Sequence, residues 1–285
     1  MSETKQTAPP NRGEKLCGGE AANLDNLWTK LRSEAEKLHD SEPSLRPLVD
    51  DVVLTRASFS ESLAVRLGRR LAREDMPRGI IEPLFTEIIS GNEYISHAAA
   101  RDLLAMFERD PACFSPLEPL LFFKGFMALS TYRVSHQLWT DDRRWLALYF
   151  QSISNETFAT DIHPAAQIGC GILLDHATSF VVGETAIIED DVSILHEVTL
   201  GGTGKITGNR HPIIRSGVLI GAGAKILGRV EIGKHSKVGA GSVVLSDVPS
   251  HTTVAGVPAS IVGQSSEANP ALEMDQHLNC WSPSI

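Results

Sequence analysis

A chain of 285 residues with a net charge of −9 has room for two domains, and its acidity argues against nucleic-acid binding, which needs a basic surface. The 42% hydrophobic content suffices for packed cores, yet no apolar run reaches the length of a membrane span, so no membrane association is expected. Cys17, Cys113, Cys170 and Cys280 lie far apart without a CxxC pair, which argues against a structural zinc site and reads as isolated reduced thiols of a cytoplasmic protein.

In chain order, residues 1–20 are polar and contain Gly and Pro, without the apolar core of a signal peptide, and read as a disordered leader. Residues 24–38 place Leu24, Leu27, Trp28, Leu31, Ala35 and Leu38 on one helical stripe, which Ser41, Pro43 and Pro47 end. A second helix is expected to start at Asp50 to Val53. A third carries Phe59, Leu63, Leu67 and Leu71 on one face, with Ser58 and Glu61 at capping-box spacing. Residues 80–89 and 96–108 read as two more, the latter starting behind Ser96, and Asp110-Pro111 is a stop. An apolar helical pattern covers Leu117 to Trp139, and residues 141–154 form the last helix. Residues 21–157 are therefore expected to be an all-helical domain.

From Ile162 the grammar changes. Ile162, Ile168, Leu174 and Phe180 recur every sixth position; Val182, Ile188, Ile194 and Leu200 form a second series, shifted by two; Ile214, Ile220, Ile226, Ile232, Val238 and Val244 form a third. A six-residue period fits neither an amphipathic helix nor an alternating strand. It fits a solenoid whose coils each comprise three strand-and-turn units, stacked about 4.8 Å apart. The repeat spans 158–263 and is interrupted once, by GGTGKITGNRHP at 201–212, a projecting glycine-rich loop made basic by Lys205, Arg210 and His211. Residues 264–285 show no periodicity and read as a flexible tail. The fold class is α+β, helical domain first and parallel β-helix second.

The runs LLDHATSFVVGETAIIEDDVSILHEVTLGGTGK, NRHPIIRSGVLIGAGAKILG, GAGSVVL and HTTVAGVPA, with RDPACFSPLEPLLFFKGFMALSTYRVSH before them, resemble the serine O-acetyltransferases of cysteine biosynthesis. Hexapeptide repeats alone are common to many acyltransferases; DHAT, GGTGK and the RHP loop in this order are far more specific. The resemblance implies a left-handed β-helix, acetyl-CoA and L-serine as substrates with no other cofactor and no metal, and O-acetylserine and CoA as products. It also implies inhibition by L-cysteine, trimers paired through the helical domains, and a site between neighbouring subunits.

A serine hydroxyl needs a base within hydrogen-bonding reach to attack a thioester. His176 of the DHAT motif is the candidate, and the resemblance assigns Asp161 as the carboxylate that orients it. Asp161 precedes His176 by nearly one coil of three six-residue units, so adjacent coils could bring them together. Asp110 and Asp175 match the family's acidic serine contacts, Arg210 and His211 its carboxylate contacts. Gly201, Gly202, Thr203, Ala222 and Ala240 match positions lining the CoA groove, and Lys237 is a candidate phosphate contact. Two departures stand out: Asn209 where the family carries Asp, and WSPS before the terminal Ile285. In the family the terminal Ile inserts into O-acetylserine sulfhydrylase, so Ile285 is the expected partner contact. Two other readings use the same scaffold: an acyltransferase acting on a sugar, and a γ-carbonic-anhydrase-like metal enzyme. The latter needs closely spaced His ligands, whereas even the nearest two histidines of the repeat, His163 and His176, form no close pair.

Overall fold

The computed structural model describes residues 23–204, 207–265 and 268–277; the expected leader, Lys205 and the Ile285 contact lie outside them. Eight helices come first: α1 Leu24–Ser41, α2 Arg46–Val49, α3 Phe59–Leu71, α4 Arg78–Gly91, α5 Glu93–Arg109, α6 Leu117–Leu121, α7 Lys124–Thr140 and α8 Arg144–Phe158. Side chains cap the starts of three of them, α1, α3 and α5. The Asn23 side chain caps α1 by accepting from the Asn26 N–H. At α3, Ser58 accepts from the Glu61 N–H while Glu61 reaches back to the Ala57 N–H, so the capping box closes one residue earlier than its usual pattern.

The second expected helix is instead α2 followed by a π-helical turn, Asp50–Leu54, which together bury Val49, Val52 and Val53. The expected start behind Ser96 gives way to Asn92, whose side chain accepts from the Tyr94 N–H. Ser96 is buried within α5 and pairs with Ser60 at 2.7 Å. The apolar run from Leu117 breaks at Phe122–Phe123. Buried Arg66 of α3 holds this break by donating to the Leu120 and Leu121 carbonyls at the end of α6.

Thirteen short parallel strands follow, in three sheets. The first runs β1 (Thr160–Ile162), β4 (Phe180–Val182), β7 (Thr199–Gly201), β10 (Lys225–Leu227), β13 (Val243–Val244). The second pairs β2 (Gln167–Ile168), β5 (Ile187–Ile188), β8 (Ile213–Ile214) and β11 (Glu231–Ile232). The third pairs β3 (Leu173–Leu174), β6 (Ser193–Ile194), β9 (Leu219–Ile220) and β12 (Lys237–Val238). Every aliphatic or aromatic residue of the three six-residue series is buried, none more than 5% exposed. The register explains the breaks in the period. Ile214 stacks on Ile232, three regular units further on, but Ile162 stacks on Val182 and Ile188 on Ile214, both longer steps. The corner 176–179 is enlarged, which puts Phe180 and Val182 in one strand, and the 201–212 loop accounts for the longest step.

The repeat ends in a hairpin: β14 (Thr252–Gly256) continues the third sheet and β15 (Ala259–Gln264) pairs with it antiparallel. Within the expected tail, Pro270–Glu273 form α9, with Ala271 buried and its carbonyl accepting from Ser193 Oγ at 2.7 Å. The helices and the first coil share one core, fastened by charge. Asp102 of α5 accepts from Arg133 of α7 at 2.9 Å and from the Ile172 N–H of the coil at 2.9 Å, while Arg133 also donates to the Gly169 carbonyl.

Candidate active site

Two edges of the prism carry the expected site residues. The first joins the third sheet to the first sheet. Here His176, Ala177 and Ser179 all have positive φ, 55°, 59° and 60°, a region that costs a residue with a Cβ roughly 1–3 kcal/mol. Neighbours hold the corner on both sides: Ser179 N–H donates to the Ala159 carbonyl and Glu197 N–H to the Thr178 carbonyl. Helix α7 comes close because residue 125 is Gly; a Cβ there would lie 2.0 Å from the Leu174 carbonyl oxygen.

The result is a cavity of about 350 Å³ walled by Asp110, Phe122, Lys124, Gly125, Asp175 and His176. The His176 side chain is 74% exposed, its Nε2 3.7 Å from Asp175 Oδ1. Asp110 is oriented at the end of α5, where its Oδ1 accepts from the Ala112 N–H at 2.8 Å. Burial raises the Asp175 carboxyl above the ordinary range; Asp110 adds to this, while His176 and His196 oppose it.

His196 was not among the expected site residues. It lies one coil above His176, with ring centroids 5.7 Å apart, and its Nδ1 is buried without a partner among the described residues. The signal was the repeat itself, once Leu174 is known to stack on Ile194. Ala222 and Ala240 continue the same edge upward: Gly223 N–H donates to the His196 carbonyl and Gly241 N–H to the Ala222 carbonyl. Small residues thus continue this edge away from the two imidazoles.

The second edge joins the first sheet to the second sheet and carries Gly201, Gly202, Thr203, Arg210 and His211. His211 is only 7% exposed. Its Nδ1 accepts from the Thr185 N–H at 3.1 Å, so the neutral ring carries its proton on Nε2 and is a donor there. Burial first, then Arg210, push its pKa down, which keeps it neutral. Arg210 pairs with Glu184 at 2.7 Å. The ring fits against Gly183, where a Cβ would sit 2.0 Å from His211 Nε2. On the role that the resemblance gives His211, Gly183→Ala is therefore expected to expel the ring and raise the KM for serine about tenfold, the loss of one hydrogen bond to a charged group. Steady-state kinetics check this; an unchanged KM would remove His211 from the serine site.

Asp161 and Lys237 each have another partner. Asp161 of β1 lies opposite Val181 and accepts from Gln151 at 2.6 Å; among the described residues no ion pair joins it to His176. Lys237 is 4% exposed beneath the chain's C-terminal stretch, its Nζ donating to the His277 carbonyl at 3.1 Å, so a phosphate contact would require that stretch to move. Cys170 is buried and disulfide-bonded, unlike the isolated thiol expected. Among the described residues no group of three or more His, Cys, Asp and Glu side chains could hold a metal ion, and no helix is long and apolar enough to cross a membrane.

Comparison with known proteins follows the same division of the chain. Residues 27–131 match the family described as serine acetyltransferase, N-terminal, and residues 211–246 match the bacterial transferase hexapeptide family. The serine acetyltransferase of Salmonella typhimurium is 50% identical over 256 residues, covering 90% of this chain and 94% of that protein. A serine acetyltransferase solved in complex with cysteine superposes with a TM-score of 0.87 at 48% identity, over 88% of this chain and 98% of the other. The Brucella abortus enzyme in complex with coenzyme A gives 0.84 at 47% identity, over 87% and 99%. With a family match on each half and half of all residues identical across nearly the full length of a relative, the chain belongs to the serine acetyltransferase family.

Proposed function

We propose that this protein moves the acetyl group of acetyl-CoA to the hydroxyl of L-serine by direct transfer, with His176 as general base. The observation that carries the reading is one pocket holding Asp110, Asp175 and His176 at the foot of an edge that continues through the small residues Ala222 and Ala240. The two carboxylates take the serine ammonium. His176 takes the hydroxyl proton, the C–O bond forms as the C–S bond breaks, and the proton returns to the CoA thiolate. Acetyl-CoA lies along this edge, its thioester end at His196 and His176. Asp161 orients His176 through its second carboxylate oxygen, the first being held by Gln151.

The serine carboxylate belongs to Arg210 and His211, which stand on the other edge. A prism side of six residues spans roughly 20 Å, at about 3.3 Å per residue, so one serine cannot bridge both edges of a single chain. The site is therefore assembled where the first edge of one copy meets the second edge of the next in a trimer, and two trimers pair through the helical domains. L-Cysteine shares serine's ammonium and carboxylate and occupies the same contacts. Ile285 is the contact for O-acetylserine sulfhydrylase.

Release of CoA with L-serine, measured beside a panel of sugars, tests the substrate assignment; acylation of a sugar in preference to serine overturns it. A pH dependence follows from Asp175. Only the ionised carboxylate holds the ammonium, and burial raises its pKa, so serine affinity is lost as pH falls through a value above the ordinary carboxylate of about 4. Calorimetric titration of serine without CoA should show this loss, and Asp175→Asn should bind weakly with no such limb.

A further inference from the structure

We propose that Lys124 is a positioning residue for the proton transfer: its ammonium ties the first turn of α7 to Thr178 and so fixes the backbone that carries His176. The inference rests on the general-base reading of His176. Lys124 Nζ donates to Thr178 Oγ1, and that hydroxyl donates in turn to the His176 carbonyl at 3.4 Å. The Thr178 N–H donates to the same carbonyl at 2.7 Å, and the Thr178 carbonyl accepts from Glu197 N–H of the next coil at 2.7 Å. Thr178 is thus the node where the helical domain, the base's own peptide group and the coil above meet.

The corner needs such a node. At other corners of the β-helix, positive-φ residues other than Gly come singly, as at Asp191, Glu197, His235 and His251. Here three occur within four residues and none is Gly, so the conformation must be imposed by surroundings. The close approach at Gly125 brings Lys124 to the spot. Among the described residues no carboxylate forms an ion pair with Lys124; its hydrogen bond goes to a neutral hydroxyl.

Lys124 also borders the pocket beside Asp110 and Asp175, so the rival role is a direct contact with the substrate carboxylate. Steady-state kinetics of Lys124→Met, Thr178→Val, their double variant and Thr178→Ser separate the two. A clamp lowers kcat about tenfold in each of the first two with serine KM within about threefold, because misplacing the base costs rate rather than binding. The double variant is then no worse than either single one, and Thr178→Ser, which keeps the hydroxyl, restores the rate. Hydrogen exchange of the peptide spanning residues 175–181, without substrates, should quicken in Lys124→Met and Thr178→Val and not in Thr178→Ser. A rise in serine KM with kcat unchanged, losses that multiply in the double variant, or unaltered exchange would each overturn the clamp. Absence of serine-dependent CoA release by the unaltered protein would sink the general-base reading, while the exchange data still judge the clamp.

Discussion

His176→Ala is expected to lower turnover at least ~100-fold, the lower range for removal of a general base. Without the imidazole, serine must lose its proton to water while a thioester waits beside it. The side chain is 74% exposed, so truncation leaves no cavity and folding should survive. Serine KM should stay within a few fold, because Asp110, Asp175 and Arg210 are untouched. Since residue 176 has φ of 55°, His176→Asn is the companion variant: Asn tolerates the left-handed region better than most residues but cannot accept the proton at neutral pH. Both variants should fail equally. CoA release at saturating serine measures the loss, and circular dichroism checks the fold. A variant that kept a tenth of the turnover would mean that another group takes the proton.

Asp102→Ala is expected to cost about 3–5 kcal/mol, the range for removing one partner of a buried ion pair. Asp102 is 0% exposed, and the substitution strands the Arg133 guanidinium, itself 3% exposed, together with the Ile172 N–H. These bonds run between helix and coil, so the damage falls where α5 and α7 meet the first turn of the β-helix. Urea unfolding at fixed protein concentration measures it, the concentration being held because assembly contributes to apparent stability. Arg133→Met combined with Asp102→Leu should recover much of the loss, since an apolar pair of similar volume leaves no stranded charge. A loss below about 1 kcal/mol would place the pair among weak surface-like contacts.

The two expectations draw on different kinds of sequence signal. His176 could be singled out because the family resemblance attaches a role to DHAT, and the structure supplies its surroundings: Asp175, Asp110 and the cavity they wall. The Asp102–Arg133 pair had no signal, because a charged residue within an amphipathic helix reads as solvated until the coil packs on it. His196 was missed because a six-residue count across the first coil falls out of step at the enlarged corner. Asp161 stands opposite Val181, further along than three regular units would set it. The helix start at Ser96 misled for a related reason: Asn92 offers the better cap, and Ser96 points at Ser60.

By itself the sequence determined the prism and the helical layer. Inward positions every sixth residue can be buried only by a stacked coil, and apolar stripes at helical spacing only by a packed helix; both are periodicities of the backbone. Tertiary structure alone decided which polar residues share an edge. That depends on how much chain each coil spends at its corners, and an enlarged turn moves every later side chain to a new neighbour while the six-residue period resumes beyond it. Hence Asp110, on a helix far earlier in the chain, stands beside His176, while Arg210, part of the same expected contact set, lies on another edge.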